Sequence, residues 1–125
     1  MKKNLIISAL ASIAVQNPEG YTVNAATLQP ITSGYAVGLA VTQDSFGAEG
    51  LAKVVDVISK MQNQGEASLF DGLAFGGWYN SKNGYYYYDA TVIVKDRAKA
   101  LEIARVNGQL AIFNLDKKEE IRLDD

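Results

Sequence analysis

The sequence predicts an α+β domain built on a mainly antiparallel sheet with two helices. Three observations carry this. Residues 48–62 and 97–106 repeat apolar side chains at three- and four-residue spacing, the period of a half-buried helix. The other apolar runs are short, and two of them flank Ser81-Lys82-Asn83-Gly84, where Asn-Gly supplies the positive φ of a tight hairpin. Strands and helices do not alternate regularly, as a parallel sheet would require. The predicted order is β-β-β-α-β-β-α-β-β, within one domain spanning the 125 residues.

The elements follow in chain order. Residues 5–15 are nearly all apolar, with Ser8 and Ser12 the only polar side chains. After Met1-Lys2-Lys3-Asn4 the run has the form of a signal peptide, with Ser12-Ile13-Ala14 as a small-x-small cleavage site. It also reads as a strand, with Leu5, Ile7, Ala9, Ala11, Ile13 and Val15 on one face. The strand is the preferred reading, and two apolar faces predict that another subunit buries it. Asn17-Pro18-Glu19-Gly20 predicts a turn and residues 21–26 a short strand. After a second turn region at 29–34, residues 35–42 predict a strand with Tyr35, Val37, Leu39 and Val41 on one face. Ser45 or Gly47 is placed to cap the first helix. That helix buries Leu51, Val54, Val55, Ile58 and Met61, turns Lys53, Asp56 and Lys60 to another face, and stops at Gly65. Residues 69–73 read as irregular, and 74–80 with 85–94 as the hairpin. Asp96 caps the second helix, which buries Ala100, Leu101 and Ala104 and stops at Gly108. Residues 110–114 and 119–123 form the last two strands around a turn.

Composition narrows the chemistry. Hydrophobic residues make up 48% and charged residues 21%, enough for one packed core. A net charge of −2 is unlike a duplex-DNA binder. The chain has no cysteine and no histidine, so it lacks thiol nucleophiles, imidazole bases and the commonest zinc ligands. These absences favour a binding protein over an enzyme, with no cofactor and no metal expected.

The densest local feature is aromatic. Phe75, Trp78 and Tyr79 lie on one hairpin strand and Tyr85-Tyr86-Tyr87-Tyr88 on the other, so the tyrosines must divide between two faces. Cross-strand packing and a stacking platform for a base both fit. Gly76-Gly77 beside Trp78 reads as a bulge, as crowded packing or as a close approach by a ligand. Asp89 is disfavoured in mid-strand, so it is either exposed or accepts hydrogen bonds from arginine or a ligand hydroxyl. Arg97 and Arg105 bracket the second helix; each reads as an ion-pair partner, with Glu102 or a neighbouring chain, or as a phosphate clamp. Asn107 and Gln109 place donors and acceptors at the end of that helix. Asp116, Glu119, Glu120, Asp124 and Asp125 read as a solvated acidic end.

Several short stretches are similar to small phage and mobile-element proteins of an anti-Thoeris sponge family. They are Asn17-Pro18-Glu19-Gly20-Tyr21-Thr22-Val23, Thr42-Gln43-Asp44-Ser45-Phe46-Gly47, Gly76-Gly77-Trp78, Tyr86-Tyr87-Tyr88-Asp89 and Asn107-Gly108-Gln109-Leu110-Ala111-Ile112-Phe113. The resemblance implies a non-enzymatic protein of the bacterial host cytoplasm that sequesters cyclic ADP-ribose-type signals, and in some members cyclic oligonucleotides. It implies a homo-oligomer, a dimer or a dimer-based hexamer. The net charge predicts no DNA partner, and the apolar run of residues 5–15 is too short to span a membrane. It assigns Trp78 as the stacking ring and Arg105 as the phosphate clamp, supported by Tyr88, Asp89, Asn107 and Gln109. Lys53 and Lys60 would stand in for arginines that the chain lacks. The rival expectation is a small protein-binding inhibitor of a host defence complex, of the anti-restriction or anti-CRISPR type.

Overall fold

The computed structural model describes residues 3–123. The N-terminal run is a helix, α1 (Lys3–Gln16), where the sequence predicted a strand. The correction has a clear cause. In a run this apolar, alternation is indistinguishable from any other period, and its length without Gly or Pro exceeds an ordinary strand. Burial follows the helical spacing instead: Leu10 and Ala14 are buried and Ile6, Ile7 and Ile13 partly so, whereas Leu5 and Val15 are exposed. The chain's own core thus covers one face of the segment. Asn17-Pro18 ends the helix, because the residue before a proline disfavours the α region. The Asn17 amide and side chain both donate to the Ile13 carbonyl at 2.9 Å.

Two strands follow, β1 (Gly20–Asn24) and β2 (Tyr35–Gly38). β2 is shorter than predicted, since Ala40–Thr42 turn into a 3-10 helix. Helix α2 (Gly47–Asn63) buries Leu51, Val54, Val55 and Ile58. Its N-cap is Phe46, not Ser45 or Gly47, and no side chain caps it. Gly65, at φ 74°, follows the helix end as the sequence predicted. Strands β3 (Gly72–Asn80) and β4 (Tyr85–Val94) form the expected hairpin, with Gly84 at φ 78°. The strand takes in Gly72 and Leu73, predicted irregular. Helix α3 (Arg97–Val106) and strands β5 (Ala111–Asn114) and β6 (Glu119–Arg122) complete the chain. Asp96 occupies the N-cap of α3 without a side-chain hydrogen bond.

The architecture is therefore α+β, with three helices and one six-stranded antiparallel sheet in the order β1-β3-β4-β2-β5-β6. The helices cover one face. Val23, Val37, Leu73, Phe75, Ala90, Val92, Val94 and Ile112 meet Leu10, Leu51, Val54, Val55, Ile58, Ala100 and Ala104 in a single core. Beyond β1 the chain doubles back along that strand's outer edge, where the Ile31 amide donates to the Thr22 carbonyl at 3.0 Å. It then crosses the opposite sheet face to reach β2, burying Ala74, Ile93 and Leu115 under Ile31. That crossing covers only one end of the face and leaves the hairpin end open. Among the described residues no helix is long and apolar enough to cross a membrane.

Candidate functional site

Strand alternation sorts the aromatic residues onto two faces. Leu73 and Phe75 point into the core, so Gly77 and Tyr79 share the helix side and Ala74, Gly76 and Trp78 the open side. On β4, Tyr86 and Tyr88 go to the helix side, and Tyr85, Tyr87, Asp89 and Thr91 to the open side.

The helix-side tyrosines are structural. Tyr21 stacks on Tyr86 with centroids 6.3 Å apart, and Tyr86 lies 5.4 Å from Tyr88. The Tyr86 hydroxyl donates to the Asn17 carbonyl at 2.8 Å, tying the turn after α1 to the hairpin. Burial, helped by neighbouring tyrosines, pushes Tyr21 and Tyr86 up, the latter to about 12. Gly77 explains how the rings fit. A Cβ there would meet the Tyr21 ring and lie 2.8 Å from the Tyr86 Cε1. The double glycine is thus not a bulge, because the β1–β3–β4 register runs through it unbroken. Gly77→Ala is expected to cost about 1–3 kcal/mol, as overpacking does, read as a lower midpoint in urea unfolding. An unchanged midpoint would show that the rings move aside freely.

The open side carries a row of rings that no helix covers. Trp78 stacks on its cross-strand partner Tyr87 at 4.9 Å and 17°. Phe46 bridges to Tyr87 from the other edge of β4, meets it edge-on at 5.5 Å, and stacks on Tyr85 at 4.6 Å and 12°. Trp78 is 44% exposed, Phe46 43% and Tyr85 50%, high for large rings in mutual contact. Phe46 was no part of the aromatic group read from the sequence. Its contribution comes from a loop distant in sequence and carries no local signal.

Beside the rings lies a notch. Across the strands, Gly20 opposes Trp78, and Thr22, Gly76 and Asp89 form the next row. Gly20, at φ 154°, accepts no other residue easily, since a Cβ would lie 2.7 Å from the Gly77 carbonyl oxygen. Both glycines leave bare backbone between the indole and the carboxylate. Asp89 leans toward that space: a Cβ on Gly76 would stand 3.8 Å from its Oδ2. Among the described residues nothing donates a hydrogen bond to the Asp89 carboxylate. Burial pushes its pKa from 3.8 up to about 6.

The other predicted site residues lie elsewhere. Tyr88 is 9% exposed and belongs to the core, so it cannot share the open face with Asp89. Arg105 is exposed in the last turn of α3, where a cation complements the helix dipole. Because α3 packs on the helix side, Arg105 and Trp78 are on opposite sides of the sheet. Lys53 is exposed on α2, in the same layer as Arg105. Asn107 Oδ1 accepts from the Ala40 amide at 3.2 Å, and Gln109 Nε2 donates to Gln43 Oε1 at 3.3 Å. Both residues therefore tie the end of α3 to the segment after β2. Neither Arg97 nor Arg105 pairs with Glu102; the ion pairs are Lys3–Asp56 at 2.7 Å and Arg122–Glu120 at 3.4 Å among the described residues. Asp124 and Asp125 lie outside the described residues.

Two surface depressions occur away from the rings. One of about 310 Å³ lies between α1, α2 and the turn after β1, and one of about 390 Å³ lies between Phe70 and α3. Comparison with family models, with curated proteins and with solved structures returned no match.

Proposed function

We propose that the protein is a non-catalytic binding protein that stacks the base of a nucleotide-type signal on the Trp78–Tyr87–Phe46–Tyr85 row and holds it without altering it. The single observation that supports this reading is that row: four rings in contact on an uncovered sheet face, three of them more than 40% exposed. Base–ring stacking contributes about 1–3 kcal/mol per base and tolerates different bases. Cyclic ADP-ribose-type molecules and cyclic oligonucleotides are the ligand class proposed, and the host cytoplasm the place of action. A pocket that uses Arg105 together with Trp78 takes them from two copies of the chain, since one copy holds them on opposite sides of its sheet.

Thermal shift across a panel of cyclic nucleotides tests the reading, followed by chromatography of ligand recovered from heated complex. The expected result is a shift with at least one member and a recovered ligand of unchanged mass. Trp78→Ala should weaken that binding roughly ten-fold, about 1.4 kcal/mol. No shift with any member, or a cleaved product after many turnovers, would overturn it. The same exposed rings also suit a protein-binding inhibitor, because Trp and Tyr are frequent anchors of protein interfaces. That reading takes first place if Trp78→Ala abolishes capture of a host defence complex and no nucleotide binds.

A further inference from the structure

The notch beside Trp78 has a polarity that the ring row alone does not reveal. The open-side positions of the four strands around it are Gly20, Thr22 and Asn24 on β1, Gly72, Ala74, Gly76, Trp78 and Asn80 on β3, Tyr85, Tyr87, Asp89, Thr91 and Ile93 on β4, and Ala36 and Gly38 on β2. Lysine and arginine are absent from that set. Arg122, on the far edge strand, lies within reach of Glu120 at 3.4 Å. The one charged group is Asp89, half-buried and without a hydrogen-bond donor among the described residues. A carboxylate removed from water without a partner is unfavourable, and a cation or strong donor removes the penalty. The ring faces add to the same field, since the aromatic quadrupole attracts positive charge. Residues two apart on a strand are about 6.6–7 Å apart, so Asp89 and Tyr87, with Trp78 on the diagonal, are spaced to touch one flat molecule.

We infer that this notch is a site for a small organic cation, a flat ring bearing positive charge that lies against Trp78 with the Asp89 carboxylate as its counter-ion and Gly20 and Gly76 as its floor. The inference rests on the reading of the ring row as a ligand site, but it assigns a charge preference that nucleotide stacking does not require. Arg122 shares this face but lies on β6, three strands away from β4. A phosphate therefore meets no cation on the four strands around the notch, and an anionic group of a larger ligand points away from it.

The test uses a matched pair, 1-methylnicotinamide, a permanent cation, and neutral nicotinamide, at pH 7.5. Trp78 is the chain's one tryptophan, so its indole N–H resonance reports occupancy directly. The expected result is at least ten-fold tighter binding of the cation, reduced to within two-fold in Asp89→Asn, with Trp78→Ala losing both compounds in calorimetry. Asp89→Asn preserves shape and is checked by its melting curve; Gly76→Val, which fills the notch against Asp89 while keeping the carboxylate, should lose both compounds as well. Equal affinity for the two compounds, or a cation preference that survives in Asp89→Asn, overturns the inference alone and leaves the ring row as a ligand site. If neither compound moves the indole resonance, the inference falls while the cyclic-nucleotide panel still decides the proposed function separately.

Discussion

Leu10→Ala lowers the stability of the chain by about 2–5 kcal/mol, the usual cost of truncating a fully buried leucine. Leu10 is 0% exposed and belongs to the cluster that holds Val54, Val55 and Ile58 of α2. Helix propensity works in the opposite direction, since alanine is the better helix former. Any loss therefore measures packing, not local helix formation. Val15, 82% exposed on the same helix, is the internal control, and Val15→Ala should change stability by less than about 0.5 kcal/mol. Urea unfolding followed by circular dichroism checks both. A neutral Leu10→Ala would mean that α1 does not dock on α2 in solution, and the apolar segment would then need another cover.

That first element is also where sequence reasoning failed, and the failure is instructive beside its successes. Helix α2 was legible because Leu51, Val54, Val55 and Ile58 alternate with Lys53 and Asp56, so only one period fits. The hairpin was legible because Asn83-Gly84 fixes the turn and the turn fixes the register from Asn80↔Tyr85 onward. Residues 5–15 offered no polar contrast, and burial by the fold decided their period. The faces of Tyr85 to Tyr88 were legible in parity, since neighbours on a strand must part. Which parity faces the helices was not, because it depends on Phe75 and on the distant partners Tyr21 and α2. For the same reason Tyr88 and Asp89, adjacent in sequence, could not be told apart as core and site. Phe46 was invisible as a ring of the row. Only the bridge from Phe46 to Tyr87, closing a loop of some forty residues, brings it there.

Asp89→Asn should stabilise the protein by about 2–3 kcal/mol at pH 8 and by nothing at pH 3. The sign follows from the direction of its shift. Burial raises the folded-state pKa to about 6, from 3.8, so the folded chain holds this proton more tightly than the unfolded chain does. The carboxyl's favourable contribution is complete below the unfolded value and is lost as pH rises through about 6. Above that, ionisation costs the fold up to about 3 kcal/mol, at 1.36 kcal/mol for each pH interval between the two values. Asparagine never ionises and avoids the cost. Tyr21, the phenol that feels Asp89, stays protonated throughout this range, so it does not obscure the profile. Melting temperatures at several pH values check the claim: the two curves should coincide in acid and separate by roughly 10 °C in mild alkali, at about 4 °C per kcal/mol. If the variant gained nothing at pH 8, the carboxylate would already have a donor in solution, and the notch would not be looking for one. A gain would mean that the chain carries a destabilising charge where a neutral residue of the same shape would fit. Such a cost is typical of residues kept for what they bind, not for how they pack.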